Sequence, residues 1–243
     1  MRRNRQHGFN LISLLIGMTI SLITVLAMLS LYRTLMSVTL ESAELATSEG
    51  QKASGLSTAQ IALQQAGFGL PLTGATKSQV GKDLMVISGA VLSEPSTSDG
   101  ETRRLTAGTP VDMATADPIQ GALVNAIVWG YNPSAATTEP LTDDYRCGGL
   151  VFTGTALVLL RPMKCTRAEQ WKSLNWTSID LINPVDATEQ GAFIQVRPAT
   201  CWPFSTNEGV SAWQVLFPVK ADATGEPKPS TISFTTCLAN FTP

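Results

Sequence analysis

The chain has 243 residues, a formal net charge of −2 and 15% charged residues. That length suffices for one or two domains with a buried core. The single histidine, His7, lies near the N-terminus. Because histidine is the commonest general base and a common zinc ligand, its scarcity argues against Ser-His-Asp, Cys-His and histidine-ligated zinc enzymes. No basic run typical of nucleic-acid binding is present.

The N-terminal segment combines three arginines with a long uncharged run. Arg2, Arg3 and Arg5 come first, and residues 9–32 then carry no charge until Arg33. As a helix, these 24 residues would extend about 36 Å, which spans a bilayer core of about 30 Å. A cleavable secretory signal has a shorter apolar region and a small-residue cleavage site. The run therefore indicates a retained membrane helix with a cytoplasmic N-terminus.

The start of this segment resembles the class III signal of type IV pilins and pseudopilins. A short basic leader ends at Gly8, Phe9 follows, and an uninterrupted apolar helix begins. The resemblance implies that a prepilin peptidase cuts after Gly8 and methylates Phe9. Without the leader, the chain has 14 basic and 19 acidic residues, a net charge of −5. The alternative to this reading is a plain membrane anchor that keeps residues 1–8.

One position departs from the family pattern. Pilins usually carry a glutamate at the fifth mature position, which here is Ser13. In the family that carboxylate pairs with the N-terminal amine of a neighbouring subunit, because a buried charge needs a partner. Ser13 therefore argues against a major pilin and favours a minor subunit at or near the filament tip. Simple divergence of this position is the alternative.

The helical pattern continues beyond the membrane segment. Apolar or small residues recur at steps of three and four as far as Ala66, with charged residues on the other face. Gly67, Gly69 and Pro71 are expected to end the helix. The phrase IALQQAGFGLP (residues 61–71) is similar to the end of this helix in PilW-type minor pilins. The predicted segments are a leader (1–8), a membrane helix (9–33), an amphipathic spine (34–68) and one β-rich head (69–243).

The second half reads as strands and turns. β-branched and aromatic runs punctuated by Gly, Pro, Asn and Asp predict an antiparallel sheet with one face buried. The predicted strands are 83–92, 125–131, 150–154, 155–162, 178–183, 192–198, 212–220 and 230–238. Polar loops are expected at 93–104, 132–144 and 220–229. The fold class is α+β: a long N-terminal helix, first transmembrane and then amphipathic, packed on a pilin-like sheet.

Four cysteines lie in this half, and an even number behind an export segment suggests two disulfides. Three pairings exist, and short loops close most easily, which favours Cys147–Cys165 and Cys201–Cys237. Cys201 and Cys237 also flank the region that pilins often close with a disulfide. Free buried thiols are the alternative.

Motifs that would carry catalysis or bind a cofactor are absent from the sequence. Acidic pairs at Asp143-Asp144 and Asp99-Gly100-Glu101 lack the spacing of a calcium loop and read as solvated charges. Trp171 and Trp176 could form an exposed binding pair, but half-buried positions at the sheet edge are favoured. The chain is therefore expected to be no enzyme and to need no metal or other cofactor.

The sequence thus predicts a structural and assembly protein, a minor pilin that primes or caps a filament, with a role in adhesion or DNA uptake left open. Its expected partners are other minor and major pilins, the prepilin peptidase and the inner membrane, with no direct nucleic-acid motif. Its head would be periplasmic and later at the cell surface. A minor pseudopilin of a type II secretion system and a membrane-anchored periplasmic binding module are the alternatives.

Overall fold

The computed structural model describes residues 11–71, 78–96, 102–117, 119–134, 144–182, 193–201, 211–221 and 227–241. These residues form an α+β fold with one long helix, α1 (Leu11–Gln64), and antiparallel strands. The strands are β1 (Leu84–Leu92), β2 (Thr102–Arg103), β3 (Leu105–Pro110), β4 (Ala122–Val124), β5 (Ala126–Tyr131), β6 (Arg146–Phe152), β7 (Leu157–Lys164), β8 (Trp176–Ile182), β9 (Phe193–Thr200), β10 (Ser211–Ala221) and β11 (Pro227–Leu238). A 3₁₀ helix covers Ala168–Ser173.

The chain divides into two compact units, Met1–Gly50 and Gln51–Pro243. The described part of the first unit consists of the N-terminal turns of α1. The second unit contains the last turns of the helix and every described strand. The predicted limits of the leader, membrane helix, spine and head remain predictions.

In the second unit, the last turns of α1 form one wall of a hydrophobic core. Leu56, Ala59, Leu63 and Ala66 are buried at steps of three and four, as an amphipathic helix requires. Gly55 lies so close to β8 that a Cβ atom at this position would stand 2.6 Å from the carbonyl oxygen of Leu181. The burial of these residues confirms the C-terminal part of the predicted amphipathic stripe, whereas its earlier members, from Leu31 to Leu45, are exposed. Gly55 allows the close contact between helix and strand.

The end of α1 is built from glycines, as predicted. The helix ends at Gln64, and Gly67 and Gly69 then adopt φ angles of 73° and 68°, which only glycine adopts without strain. A Cβ atom at Gly67 would lie 2.7 Å from the ring of Phe241, so this turn also packs tightly against the C-terminal segment. The side chain of Asn240 closes the helix end by donating a hydrogen bond to the carbonyl oxygen of Ala66 at 3.0 Å.

The larger sheet has seven strands in the order β2-β8-β7-β6-β5-β1-β3. Its two edge strands, β2 and β3, are separated in the chain by Arg104 alone. Both edges of the sheet are therefore carried by one nearly continuous segment, and the sheet curls back on itself. Such curling leaves fewer unpaired backbone groups than two widely separated free edges would present.

Alternate side chains of the central strands fill two different cores. Met85, Ile87 and Val128 point into one core with Trp171 and Trp176, whereas their neighbours Leu84, Val86 and Ile127 join the core that contains α1. Every residue of β5 is buried, as is nearly all of β6. The expectation of a sheet with one buried face is therefore wrong for these strands, because the curled sheet encloses one core and packs on another.

The smaller sheet has four strands in the order β11-β10-β9-β4, and its apolar residues complete the core around α1. Strand β4 continues into β5 of the larger sheet, with Asn125 as the single residue between them. The two sheets are therefore joined by one bent strand. This arrangement was not predicted, since the sequence suggested a single sheet.

Eight of the strands overlap the runs predicted from β-branched and aromatic residues. The three remaining strands, β2, β3 and β4, were missed, and β2 lies inside the polar stretch predicted as the loop 93–104. Strands β10 and β11 extend to Ala221 and from Pro227, so the third predicted loop is shorter than expected. Most of the predicted loop 132–144 lies outside the described residues.

Two disulfides cross-link the second unit. Cys147 on β6 is bonded to Cys165, which follows β7, and Cys201, which follows β9, is bonded to Cys237 on β11. These are the pairs that short loop closure favours. No described cysteine is free. The first disulfide fixes the ends of the neighbouring strands β6 and β7, and the second fixes β9 to β11 across the intervening strand β10.

Candidate functional site: the exposed apolar helix

The N-terminal part of α1 is the most unusual surface of the described chain. Its large apolar side chains from Leu11 to Leu45 are between 46% and 76% exposed. Soluble monomers rarely expose contiguous apolar surface of this extent, so it marks a site of contact with a membrane or a protein. Among the described residues, α1 is also the one helix whose length and composition would allow it to cross a membrane.

The two threonine hydroxyls of the apolar segment are hydrogen-bonded within the helix itself. Thr19 donates to the carbonyl oxygen of Ile16 at 2.9 Å, and Thr24 donates to that of Ile20 at 2.7 Å. In an apolar environment an unpaired hydroxyl is costly, and a bond to the preceding turn avoids that cost. Thr19 and Thr24 are therefore compatible with burial in lipid or among other helices.

A shallow open groove runs along one face of this helix. Ser13, Gly17 and Ser21 form its floor at intervals of four residues, and larger apolar side chains line it. These larger residues are Leu14, Met18, Leu22 and Val25. Small residues in such a row let the backbone of a second helix approach closely. The predicted packing residue Ser13 lies in this groove, whereas the predicted processing residues Gly8 and Phe9 lie outside the described residues.

The aromatic pair considered from sequence is not available for binding. Trp171 and Trp176 are 2% and 0% exposed and belong to the core inside the curled sheet. The favoured expectation of half-buried rings is thus wrong: both rings are fully buried, because the sheet curls around them. Lys172 lies over the Trp171 ring, 5.0 Å from its centroid. The two tryptophans stabilise the head and offer no surface to a ligand.

A buried polar pair escaped the sequence analysis. The Tyr145 hydroxyl donates a hydrogen bond to one carboxylate oxygen of Asp83 at 2.8 Å, and the backbone N–H of Gln79 donates to the other at 3.0 Å. Burial, reinforced by the neighbouring Asp83 carboxylate, raises the pKa of Tyr145 far above its usual range. Asp83 and Tyr145 lie 62 positions apart, so no local pattern could have revealed the pair. Because both carboxylate oxygens of Asp83 accept hydrogen bonds, the pair stabilises the fold by linking two distant segments of the chain.

The acidic clusters offer no metal site in the described part of the chain. No three His, Cys, Asp or Glu side chains there are grouped to hold a metal ion. Asp144 accepts a short hydrogen bond from the Ser134 hydroxyl. Asp143, Asp99, Gly100 and Glu101 lie outside the described residues. Of the residues singled out from the sequence, the four cysteines are brought together in two pairs.

No protein-family model, no characterised protein and no solved structure matches this chain.

Proposed function

We propose that this protein is a minor subunit of a type IV pilus-like filament. The observation that carries the proposal is the single helix α1, which supplies both an uncharged apolar segment and the packing face of the β-rich unit. A subunit of this design stays in the membrane before assembly and exchanges lipid contacts for contacts with neighbouring helices afterwards. The groove around Gly17 supports this reading because small residues favour close helix packing.

Processing is the first step of the proposed pathway. The prepilin peptidase cuts the peptide bond between Gly8 and Phe9 and methylates the new amino group. The leader contains the three arginines that precede the apolar run. Its removal deletes these charges from the end of the helix. The apolar segment can then leave the bilayer without carrying a block of positive charge into a helix bundle.

Ser13 supports a place at the end of the filament. A subunit inside the filament must compensate the amine of its neighbour, and an amine buried without a counter-charge is expensive. The Ser13 hydroxyl cannot supply a negative charge at neutral pH. The proposed subunit therefore primes or caps the filament together with other minor pilins. A minor pseudopilin of a type II secretion system would assemble by the same contacts.

Filament incorporation tests the proposal directly. Filaments sheared from cells that express a tagged full chain should contain the protein, and cells without the prepilin peptidase should yield none in that fraction. The matched control is a chain that starts at Arg33 behind a cleavable export signal, which keeps the β-rich unit but loses the apolar segment. An anchored binding module would instead remain in the membrane fraction whether or not the peptidase is present.

A further inference from the structure

Three residues on adjacent strands form a row at one end of the larger sheet. Tyr131 on β5 is directly opposite Arg146 on β6, and Arg146 is directly opposite Lys164 on β7. Directly opposite residues share one face of a sheet, with Cβ atoms about 5 Å apart. The preceding residue, Gly130, accepts a hydrogen bond from the N–H of Gly67 at 2.9 Å. The row therefore lies at the end of the unit where α1 terminates.

The two cations in this row face each other, and the described part of the chain places no carboxylate in an ion pair with either of them. Like charges directly opposite on neighbouring strands destabilise a sheet. Within the described residues no carboxylate forms an ion pair with Arg146 or Lys164, and the ion pair formed there joins Arg103 to Asp180. The Arg146 charge acts on Tyr131, whose pKa is raised by burial and partly lowered again by this guanidinium. An anion seated on the row would remove the repulsion.

The number of cations indicates which anion fits. Proteins that hold nucleic acid at physiological salt make about 6–10 phosphate contacts, and polybasic segments that bind lipid surfaces carry about 4–8 basic residues. Two cations supply too few contacts for either. They match a pair of carboxylates about 5–6 Å apart, which is the spacing of residues three or four apart on a helix.

The chain itself carries such a pair. Between Arg33 and Lys52 its charged residues are all acidic, and Glu41 and Glu44 are exposed one helical turn apart. We propose that the Arg146–Lys164 row of one copy receives the Glu41 and Glu44 carboxylates of a second copy. The two surfaces differ, so the contact joins copies head to tail and leaves one surface free at each end. These free surfaces can be used by other subunits.

This inference rests on the proposed function: two copies joined in this way form the end of the filament, and the surface that stays free on the second copy contacts the next subunit. To test it, a photo-crosslinking residue replaces Leu45, beside Glu44, in one full-length copy, and a differently tagged full-length copy is co-expressed in the same membrane. Cross-linked peptides are then identified by mass spectrometry. We expect cross-links to residues 144–167 of the second copy. Lys164→Glu in that copy should reduce them about fivefold, the effect of roughly 1 kcal/mol in a pair of charges.

Two further variants make the result specific. Glu44→Lys in the first copy should restore cross-linking to the Lys164→Glu copy, because the charges are exchanged. Arg104→Glu, an equal charge change at an exposed position outside the row, should leave the yield unaltered. Cross-links that are absent from 144–167 or insensitive to Lys164→Glu would overturn the inference. So would binding of a 20-nucleotide single strand that Lys164→Glu abolishes. The N-terminal mass of the same sample reports separately on the proposed function.

Discussion

The side-chain amide of Asn125 pairs with the backbone of Ala90 in the manner of a peptide group. Its Oδ1 accepts from the Ala90 N–H at 2.8 Å, and its Nδ2 donates to the Ala90 carbonyl oxygen at 2.8 Å. The same Nδ2 donates to the carbonyl oxygen of Phe152 at 3.1 Å. Asn125 thus links β1 and β6 at the point where the chain passes from the smaller sheet to the larger one. Its side chain supplies hydrogen-bond partners for backbone N–H and carbonyl groups that have no strand partner at the bend.

Replacing Asn125 with aspartate should strongly destabilise the second unit. The variant loses the Nδ2 donor and places a charged oxygen against the carbonyl oxygens of Ala90 and Phe152. Leaving these acceptors unpaired should cost about 2–4 kcal/mol of unfolding free energy. Urea unfolding of the full chain in detergent, followed by tryptophan fluorescence, measures the change. Asn175→Asp at an exposed position is the matched control, and equal effects of the two variants would contradict this account.

Gly130→Ala should displace the buried tyrosine. A Cβ atom at Gly130 would lie 1.7 Å from the Tyr145 hydroxyl oxygen, and Tyr145 is only 4% exposed. The ring cannot move without breaking its bond to Asp83, so we expect a loss of about 3 kcal/mol in the same unfolding assay. Gly50→Ala, where a Cβ atom meets nothing within 4 Å, should instead stabilise the helix by up to about 1 kcal/mol. A Gly130→Ala chain as stable as the wild type would refute the packing described.

The buried tyrosine also predicts how stability depends on alkaline pH. Because the pKa of Tyr145 is raised in the folded chain, the unfolded chain releases this proton first, near the usual tyrosine value of about 10. The contribution to stability is therefore complete below pH 10 and declines above it, by at most about 1.4 kcal/mol per pH unit. Tyr145→Phe should lower stability at pH 8 but flatten this decline. Identical slopes between pH 9 and 11 in both chains would rule out the assignment.

Ser13→Glu tests the proposed place at the filament end. A carboxylate at this position could compensate the amine of a neighbouring subunit and so permit positions inside the filament. We expect more copies of the variant than of the wild-type chain per unit length of sheared filament, measured by quantitative mass spectrometry. Ser13→Gln, similar in size but uncharged, should behave as the wild type. An unchanged copy number in both variants would show that Ser13 does not limit incorporation.

Periodic patterns predicted much of the fold. Apolar residues at steps of three and four identified the packing face in the last turns of α1, and runs such as 125–131 identified strands, because these signals depend on neighbouring residues. The run Ala126–Tyr131 is apolar throughout, which is typical of a strand buried on both faces. The prediction of one buried face overlooked this signal. Strand β4 has only three residues, which is too few to show a period.

Other features depend on contacts between distant parts of the chain. The bond between Asp83 and Tyr145, the role of Asn125 at the bend and the burial of Trp171 and Trp176 follow from how the sheet curls. A local pattern carries no information on that curvature. The apolar N-terminal helix, in contrast, could be predicted from composition alone. An uncharged run over residues 9–32 is visible in the sequence and does not depend on contacts with other parts of the chain.

The N-terminal mass of the protein extracted from membranes distinguishes entry into the filament pathway from simple membrane anchoring. We expect a chain that begins at N-methylated Phe9 in cells with the prepilin peptidase and at Met1 or Arg2 in cells without it. A chain that keeps Arg2 through Gly8 in both kinds of cell would contradict the filament pathway. The protein would then be a membrane-anchored domain.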